Sequence, residues 1–163
     1  MDIRQAIRAT LSQSDAIVGS YLGGLSDADL LVRALPGTNH IAWQLGHLIS
    51  SERYLVNAAV PGSIEPLPEG FDQRHKTPTA QSDDPAAFFT KDEYLALAAQ
   101  VRAGTLRVTD QLEAERFDQP TAERVPPMVN TVGETLLFIS AHWLMHAGQW
   151  ALVRRKLGHA PLY

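Results

Sequence analysis

Apolar residues recur at spacings of three and four along four long segments of this chain, and this periodicity is typical of amphipathic helices. The four segments are Asp2 to about Leu22, Asn39 to about Ala59, Thr90 to about Ala114, and Thr131 to Leu157. No segment shows the period-two alternation that is typical of a strand. The sequence therefore predicts an all-α fold with four long helices.

Residues that favour helix ends support these boundaries. Asn39 is the predicted N-cap of the second long helix, which we expect to stop before the Pro61-Gly62 pair. The third and fourth helices each open on a predicted capping box, formed by Thr90 with Glu93 and by Thr131 with Glu134.

The segment 60–89 carries five of the ten prolines and shows no helical periodicity. A loop of this length is unusual inside a compact domain, so we interpret it as a crossover that wraps the surface and partly lines a site. Such a crossover allows the second and third long helices to run parallel. The prediction is a single domain over residues 1–163, a four-helix bundle with a long crossover between helices 2 and 3.

Composition excludes several function classes. A net charge of -4 and a pI near 5.8 argue against a nucleic-acid-binding surface. No apolar run approaches the roughly 20 residues that span a bilayer, and the N-terminus lacks a signal pattern, so we expect a cytoplasmic protein. The chain has no cysteine, which excludes disulfides, zinc–thiolate sites and a cysteine nucleophile.

Two of the six histidines, His142 and His146, lie four residues apart in the apolar stretch "AHWLMHAGQW". On a helix this spacing places both on one face, where both can bind one metal ion. Alternatively, each imidazole donates to a backbone carbonyl or to a buried carboxylate. A metalloprotease helix would carry a glutamate where this chain has Trp143, so the stretch is not of that type.

A third metal ligand must come from another helix, and His47 in "AWQLGHLIS" is the candidate. His40 lies seven residues earlier, roughly 10 Å along the helix axis, and is too far away to bind the same ion. We expect His40 to be structural or to lie at the mouth of a pocket. His75 and His159 lie outside the long helices and are expected to be solvated.

Other polar residues lie near these histidines in the sequence. Gln149 lies three residues after His146, where contact with a ligand and solvation are equally consistent with the sequence. Tyr54 lies two turns after His47 and is expected to pack in the core. Glu52 and Arg53 are expected to form a solvated face.

Two stretches, "GTNHIAWQLGHLISSERYL" and "HWLMHAGQWALVRRKLG", together resemble the DinB superfamily of bacterial four-helix bundles. The resemblance covers the whole chain, including the helix count and the long crossover. It implies a divalent metal ion held by His47, His142 and His146, with zinc, nickel, iron and manganese all compatible.

The family resemblance implies a class of activity rather than one reaction. The superfamily contains thiol-dependent S-transferases and hydrolase-like proteins, so we expect a small-molecule substrate, a low-molecular-weight thiol as possible cosubstrate, and a homodimer. Two alternatives remain: a non-catalytic metal-binding or stress-response protein, and a structural bundle whose core histidines are satisfied by hydrogen bonds. No residue is predicted as a general acid or base.

Overall fold

The structure, a computed structural model, describes residues 2–123 and 125–163. Its α-helices are α1 (Ile3–Leu22), α2 (Ile41–Ala59), the single turn α3 (Phe71–Arg74), α4 (Lys91–Gln111) and α5 (Val132–Lys156). Short 3-10 turns lie at Asp29–Leu31, Thr77–Thr79, Pro85–Ala87 and Ala114–Asp118. No strand occurs within the described ranges. The prediction of an all-α bundle with four long helices is confirmed.

Capping residues set the helix ends largely as predicted. Thr90 with Glu93 and Thr131 with Glu134 form the two expected capping boxes. The predicted N-cap of α2 was wrong by one residue, because the cap is His40 rather than Asn39. The Nδ1 atom of His40 accepts the backbone N–H of Trp43 at 3.1 Å. An unprotonated ring nitrogen thus takes the place of the side-chain oxygen of a usual cap.

Side-chain contacts between helices give their relative directions. Arg8 binds Asp110 and Asp15 lies near Arg102, so α1 and α4 are antiparallel. Between α2 and α5, Gln44 binds Trp150. Glu52 lies eight residues after Gln44 in α2 and binds Trp143, which lies seven residues before Trp150 in α5. The α2 and α5 helices are therefore also antiparallel.

The contacts of α2 with α4 advance in the same direction along both helices. His75 of the crossover bridges Gly46 of α2 to Tyr94 near the start of α4. Later in both helices, Glu52 accepts a hydrogen bond from Thr105. The two helices are parallel, which the long crossover allows. Around the bundle, α1 packs on α5, α5 on α2, and α2 on α4.

The core lies between the four long helices and is formed by apolar side chains on their facing sides. Fully buried aliphatic and aromatic side chains come from every long helix: Ile7, Leu11, Leu45, Leu48, Val101, Leu136, Ile139 and Trp150. Burying one such aliphatic side chain contributes about 1.5–3 kcal/mol to folding. None of the helices in the described ranges combines the length and apolar character that a bilayer span requires.

Glu52 is buried, with 2% of its surface exposed, so the prediction that it lies on a solvated face was wrong. Its carboxylate accepts hydrogen bonds from the Thr105 hydroxyl at 2.6 Å and the Trp143 indole at 2.7 Å. Arg102 Nη2 lies 3.1 Å from the same carboxylate and 3.3 Å from Asp15. These five residues form a polar network that joins all four long helices.

The crossover is fastened to one side of α2 by polar contacts. Ser50 donates to the Asp72 carboxylate at 2.6 Å, and the Trp43 indole donates to the carbonyl of Lys76 at 3.3 Å. Further along α2, the amide of Asn57 donates to the carbonyl of Ile64 and accepts the N–H of the same residue. The prediction that this segment wraps the surface is confirmed.

His75 is buried, with 3% exposure, which corrects the prediction that it is solvated. Its ring occupies the space beside Gly46, where an added Cβ would lie 2.1 Å from the imidazole. The ring accepts the Tyr94 hydroxyl at 2.7 Å and donates to the carbonyl of Phe71 at 2.8 Å. Burial lowers the pKa of His75 to about 4, so the ring is neutral at pH 7.

We expect Glu52→Ala to lower the free energy of unfolding by about 3–5 kcal/mol, because it leaves the buried Arg102 without its closest carboxylate. The control is Asp110→Ala, which breaks an ion pair of the same type whose side chains are both 50% exposed. That change should cost less than about 1 kcal/mol. Urea unfolding of both variants measures the difference. Equal losses would contradict the structural role assigned to Glu52.

Candidate metal centre

His47, His142 and His146 form a cluster between α2 and α5. Each offers one ring nitrogen such that the three atoms lie within 4.8 Å of one another. The ring centroids are 5.0 Å apart for His142 and His146, and 5.2 and 5.4 Å apart for His47 with each of them. The three residues singled out from the sequence are thus brought together.

Aromatic side chains support two of the three imidazoles. The Trp43 ring stacks on His47 with 5.2 Å between centroids and 6° between planes. The Phe138 ring stacks on His142 in the same way, at 5.8 Å and 13°. In both cases the aromatic residue precedes its histidine by four positions, so one helix supplies both members of each stack.

A hydrogen bond holds the third imidazole in one tautomer. Gln44 is buried, and its amide nitrogen donates to the carbonyl of Asn39 at 2.6 Å. Its amide oxygen accepts the indole N–H of Trp150 at 2.8 Å, and an indole nitrogen is only a donor. The Nδ1 atom of His146, 2.9 Å from the same oxygen, must therefore carry a proton and donate. The Nε2 atom keeps its lone pair.

All three rings favour the neutral form. Burial, with smaller contributions from the neighbouring histidines, lowers the pKa of His142 and of His146 to about 4. Burial also lowers the pKa of His47. Neither His47 nor His142 hydrogen-bonds to another residue in the part of the chain that the structure describes. Their unprotonated nitrogens are therefore available as ligands at neutral pH.

This donor set fits a divalent transition metal. Neutral imidazole nitrogens suit zinc, nickel, iron and copper, and three of them leave at least one coordination position for another molecule. Within residues 2–123 and 125–163, this is the one cluster of at least three side chains suited to binding a metal, and it contains no carboxylate. The arrangement therefore resembles a reactive metal site more than a closed structural one.

The remaining residues considered from the sequence lie elsewhere. His40 caps α2, and its Nε2 atom donates to the carbonyl of Ser82 at 3.1 Å, which confirms a structural role. Gln149 is exposed. Tyr54 is 47% exposed, so the expectation that it packs in the core was wrong. His159 is partly exposed, beyond the end of α5.

Sequence reasoning missed Gln44, Trp43 and Phe138. One signal was available for the amide, because Gln44 is a polar residue within an apolar helix and lies three positions before His47. The two aromatic residues look like ordinary core positions, and only their spacing of four from a candidate ligand distinguishes them.

Comparison with known proteins agrees with this fold. The sequence model of the DinB superfamily matches residues 10–150. The chain belongs to the DinB superfamily. Helices α2 and α4 fall within the matched range, together with α1 from Thr10 onward and α5 up to Trp150. All three clustered histidines of this DinB protein lie inside it.

A solved structure shares the fold of this DinB protein. It is the crystal structure of a conserved protein from Enterococcus faecalis, 18% identical in sequence, with a TM-score of 0.72. The match covers 97% of this chain and 99% of that one. At this identity the likeness establishes the fold alone. No protein with a curated function matches this sequence.

The tautomer of His146 is directly measurable. In metal-free protein, nitrogen-15 NMR of the imidazoles should show His146 protonated at Nδ1, because Gln44 accepts that proton. Gln44→Leu should remove this preference, whereas Gln44→Glu, which retains an acceptor, should keep it. His40 serves as an internal control, since it should stay protonated at Nε2 in every variant. A wild-type His146 protonated at Nε2 would contradict the assignment.

Proposed function

We propose that this DinB protein binds a divalent metal ion through His47, His142 and His146 and uses it in catalysis on a small molecule. One observation carries the proposal: three neutral imidazoles from two helices present ring nitrogens within 4.8 Å of one another. Two of them have no hydrogen-bond partner within the described residues. Partly buried polar groups need a partner, and a metal ion would provide one for the ring nitrogens of both His47 and His142.

The surrounding residues prepare the ligands for this role. Gln44 holds the proton of His146 on Nδ1, so that Nε2 is the nitrogen that keeps its lone pair. Stacking by Trp43 and Phe138 limits the rotation of the other two rings. A bound divalent ion acts as a Lewis acid that lowers the pKa of a water or thiol held at its open position.

The finer proposal is a thiol-dependent S-transferase or a hydrolase. In the first reaction, a thiolate sulfur forms a bond to an electrophilic carbon and the leaving group departs with the bonding electron pair. In the second, a water oxygen forms the bond to the electrophilic carbon, the leaving group departs with the bonding electron pair, and the proton that the water loses is taken up by the leaving group or the solvent. The chain has no cysteine, so the thiol must come from a low-molecular-weight cosubstrate.

The second candidate function is metal binding without catalysis. The observation that favours it is the position of the cluster, which bridges α2 and α5. An ion held there would cross-link two helices that are distant in sequence and so stabilise the folded state.

Protein purified without chelators or a nickel column should contain about one transition-metal ion per chain by elemental analysis. His47→Ala and His142→Ala should each lose that metal, because two imidazoles hold an ion far less tightly than three. His159→Ala, outside the cluster, should keep it. After removal of bound metal with a chelator, added metal should raise the melting temperature of the wild type and of His159→Ala, but not that of His47→Ala or His142→Ala. Metal-free wild type whose melting does not respond to added metal would refute both metal proposals.

Thiol consumption distinguishes the reactions. Free thiol is measured colorimetrically after incubation with a panel of small thiols and electrophiles, and the cysteine-free chain adds no background. Thiol loss above a His47, His142 and His146 triple-alanine variant indicates an S-transferase. Ester or amide cleavage without thiol indicates a hydrolase. Activity no higher than that of the triple variant in either assay would favour the non-catalytic protein.

A further inference from the structure

A cavity of about 340 Å³ opens between α1 and α4. This cavity lies on the opposite side of the bundle from the histidine cluster, which lies between α2 and α5. The walls are largely apolar and comprise Val18, Leu45, Leu95, Ala98, Leu106 and Trp143. The volume is within the range of small-molecule sites, and apolar walls with few polar groups are typical of them.

Two charged residues line the cavity, Asp15 and Arg102. Arg102 lies 3.1 Å from the buried carboxylate of Glu52 and 3.3 Å from that of Asp15. Two carboxyl groups therefore face one guanidinium, and burial raises the pKa of the Glu52 carboxyl despite that guanidinium. Glu52 is fully enclosed, whereas the side chain of Asp15 is 51% exposed. The carboxylate that a ligand can reach is therefore that of Asp15, whose Oδ2 atom has no hydrogen-bond partner within the described residues.

Arg102 is poorly placed to attract an anion into this cavity. Its Nε and Nη1 atoms are buried without a hydrogen-bond partner, and its Nη2 atom faces the two carboxylates. The guanidinium also lies over the Trp143 ring, 5.8 Å from the centroid. An incoming anion would meet the Asp15 carboxylate first and be repelled. Charge complementarity therefore favours a cation.

We propose that the cavity between α1 and α4 binds a small primary amine with an apolar body. The ammonium group pairs with the Asp15 carboxylate, and the apolar body lies against Leu45, Leu106 and Trp143. Neither the histidine cluster nor a metal takes part, so this site is independent of the proposed catalytic function.

The state of Asp15 is consistent with this site. Burial raises the pKa of Asp15, and the opposing effect of Arg102 only partly offsets that rise. The negative charge of the Asp15 carboxylate is therefore not fully compensated by Arg102. An ammonium ion beside it would supply the missing positive charge.

Isothermal titration calorimetry at pH 7 with three probes of similar shape tests the ligand class. The probes are 2-phenylethylamine, 2-phenylethanol and 3-phenylpropanoate, which carry a positive, a neutral and a negative polar end. We expect the amine to bind at least tenfold more tightly than the alcohol, and the carboxylate to bind most weakly. Undetectable binding of the amine, or equal or tighter binding of the carboxylate, would overturn the proposal.

Three variants test the location. Asp15→Asn should weaken amine binding at least tenfold and leave alcohol binding unchanged. Gly19→Leu should abolish the binding of both probes. Gly19 lines the cavity and a Cβ there meets no atom within 4 Å, so the leucine side chain would occupy the space of the ligand. The matched control, Asp110→Asn, removes a carboxylate of α4 outside the cavity and should have no effect.

His142→Ala separates this site from coordination of the amine by a bound metal. Amine binding that survives this change and is lost in Asp15→Asn supports the cavity. Amine binding lost in His142→Ala and retained in Asp15→Asn would overturn the proposal while leaving the proposed metal site standing.

Discussion

The arrangement of the four long helices depends on the hydrogen bonds and the ion pair made by the buried carboxylate of Glu52. It lies in α2 and binds side chains of α4 and α5, while Arg102 extends the network to α1. Because a buried charge is costly unless it is paired, each helix has one favoured register relative to the others. The same network lies close to the histidine cluster in sequence, since Trp143 follows His142 directly and Glu52 follows His47 by five residues. Helix register and the spacing of the three imidazoles are therefore set together.

Local patterns were sufficient to predict the four long helices and the histidine pair on the last of them. Apolar spacing and capping boxes depend on residues three or four positions apart, so they are readable without knowledge of the partner helices. The pair at His142 and His146 is a local feature of the same kind. The assignment of His47 needed a partner helix, and the apolar context of "AWQLGHLIS" together with the family resemblance supplied it.

Predictions failed where burial depends on residues distant in sequence. Glu52 looks like a surface glutamate until Thr105 and Arg102, about fifty residues later, enclose it. His75 belongs to a proline-rich segment, and only the gap at Gly46 and the hydroxyl of Tyr94 make a buried position favourable. The amide of Gln44 likewise acquires its role from α5, where both side chains that donate to its oxygen are located.

The order of the helices along the chain has a consequence for biosynthesis. His47 precedes His142 by 95 residues, and the α5 helix that carries two of the three clustered histidines leaves the ribosome after α1, α2 and α4. The α1 helix cannot pack fully before α5 is synthesised, because α5 is its main packing partner. A nascent chain that ends before α5 therefore has neither the complete cluster nor a cover for the apolar face of α1. Acquisition of any ion by these histidines is in this way confined to chains that have completed synthesis of the bundle.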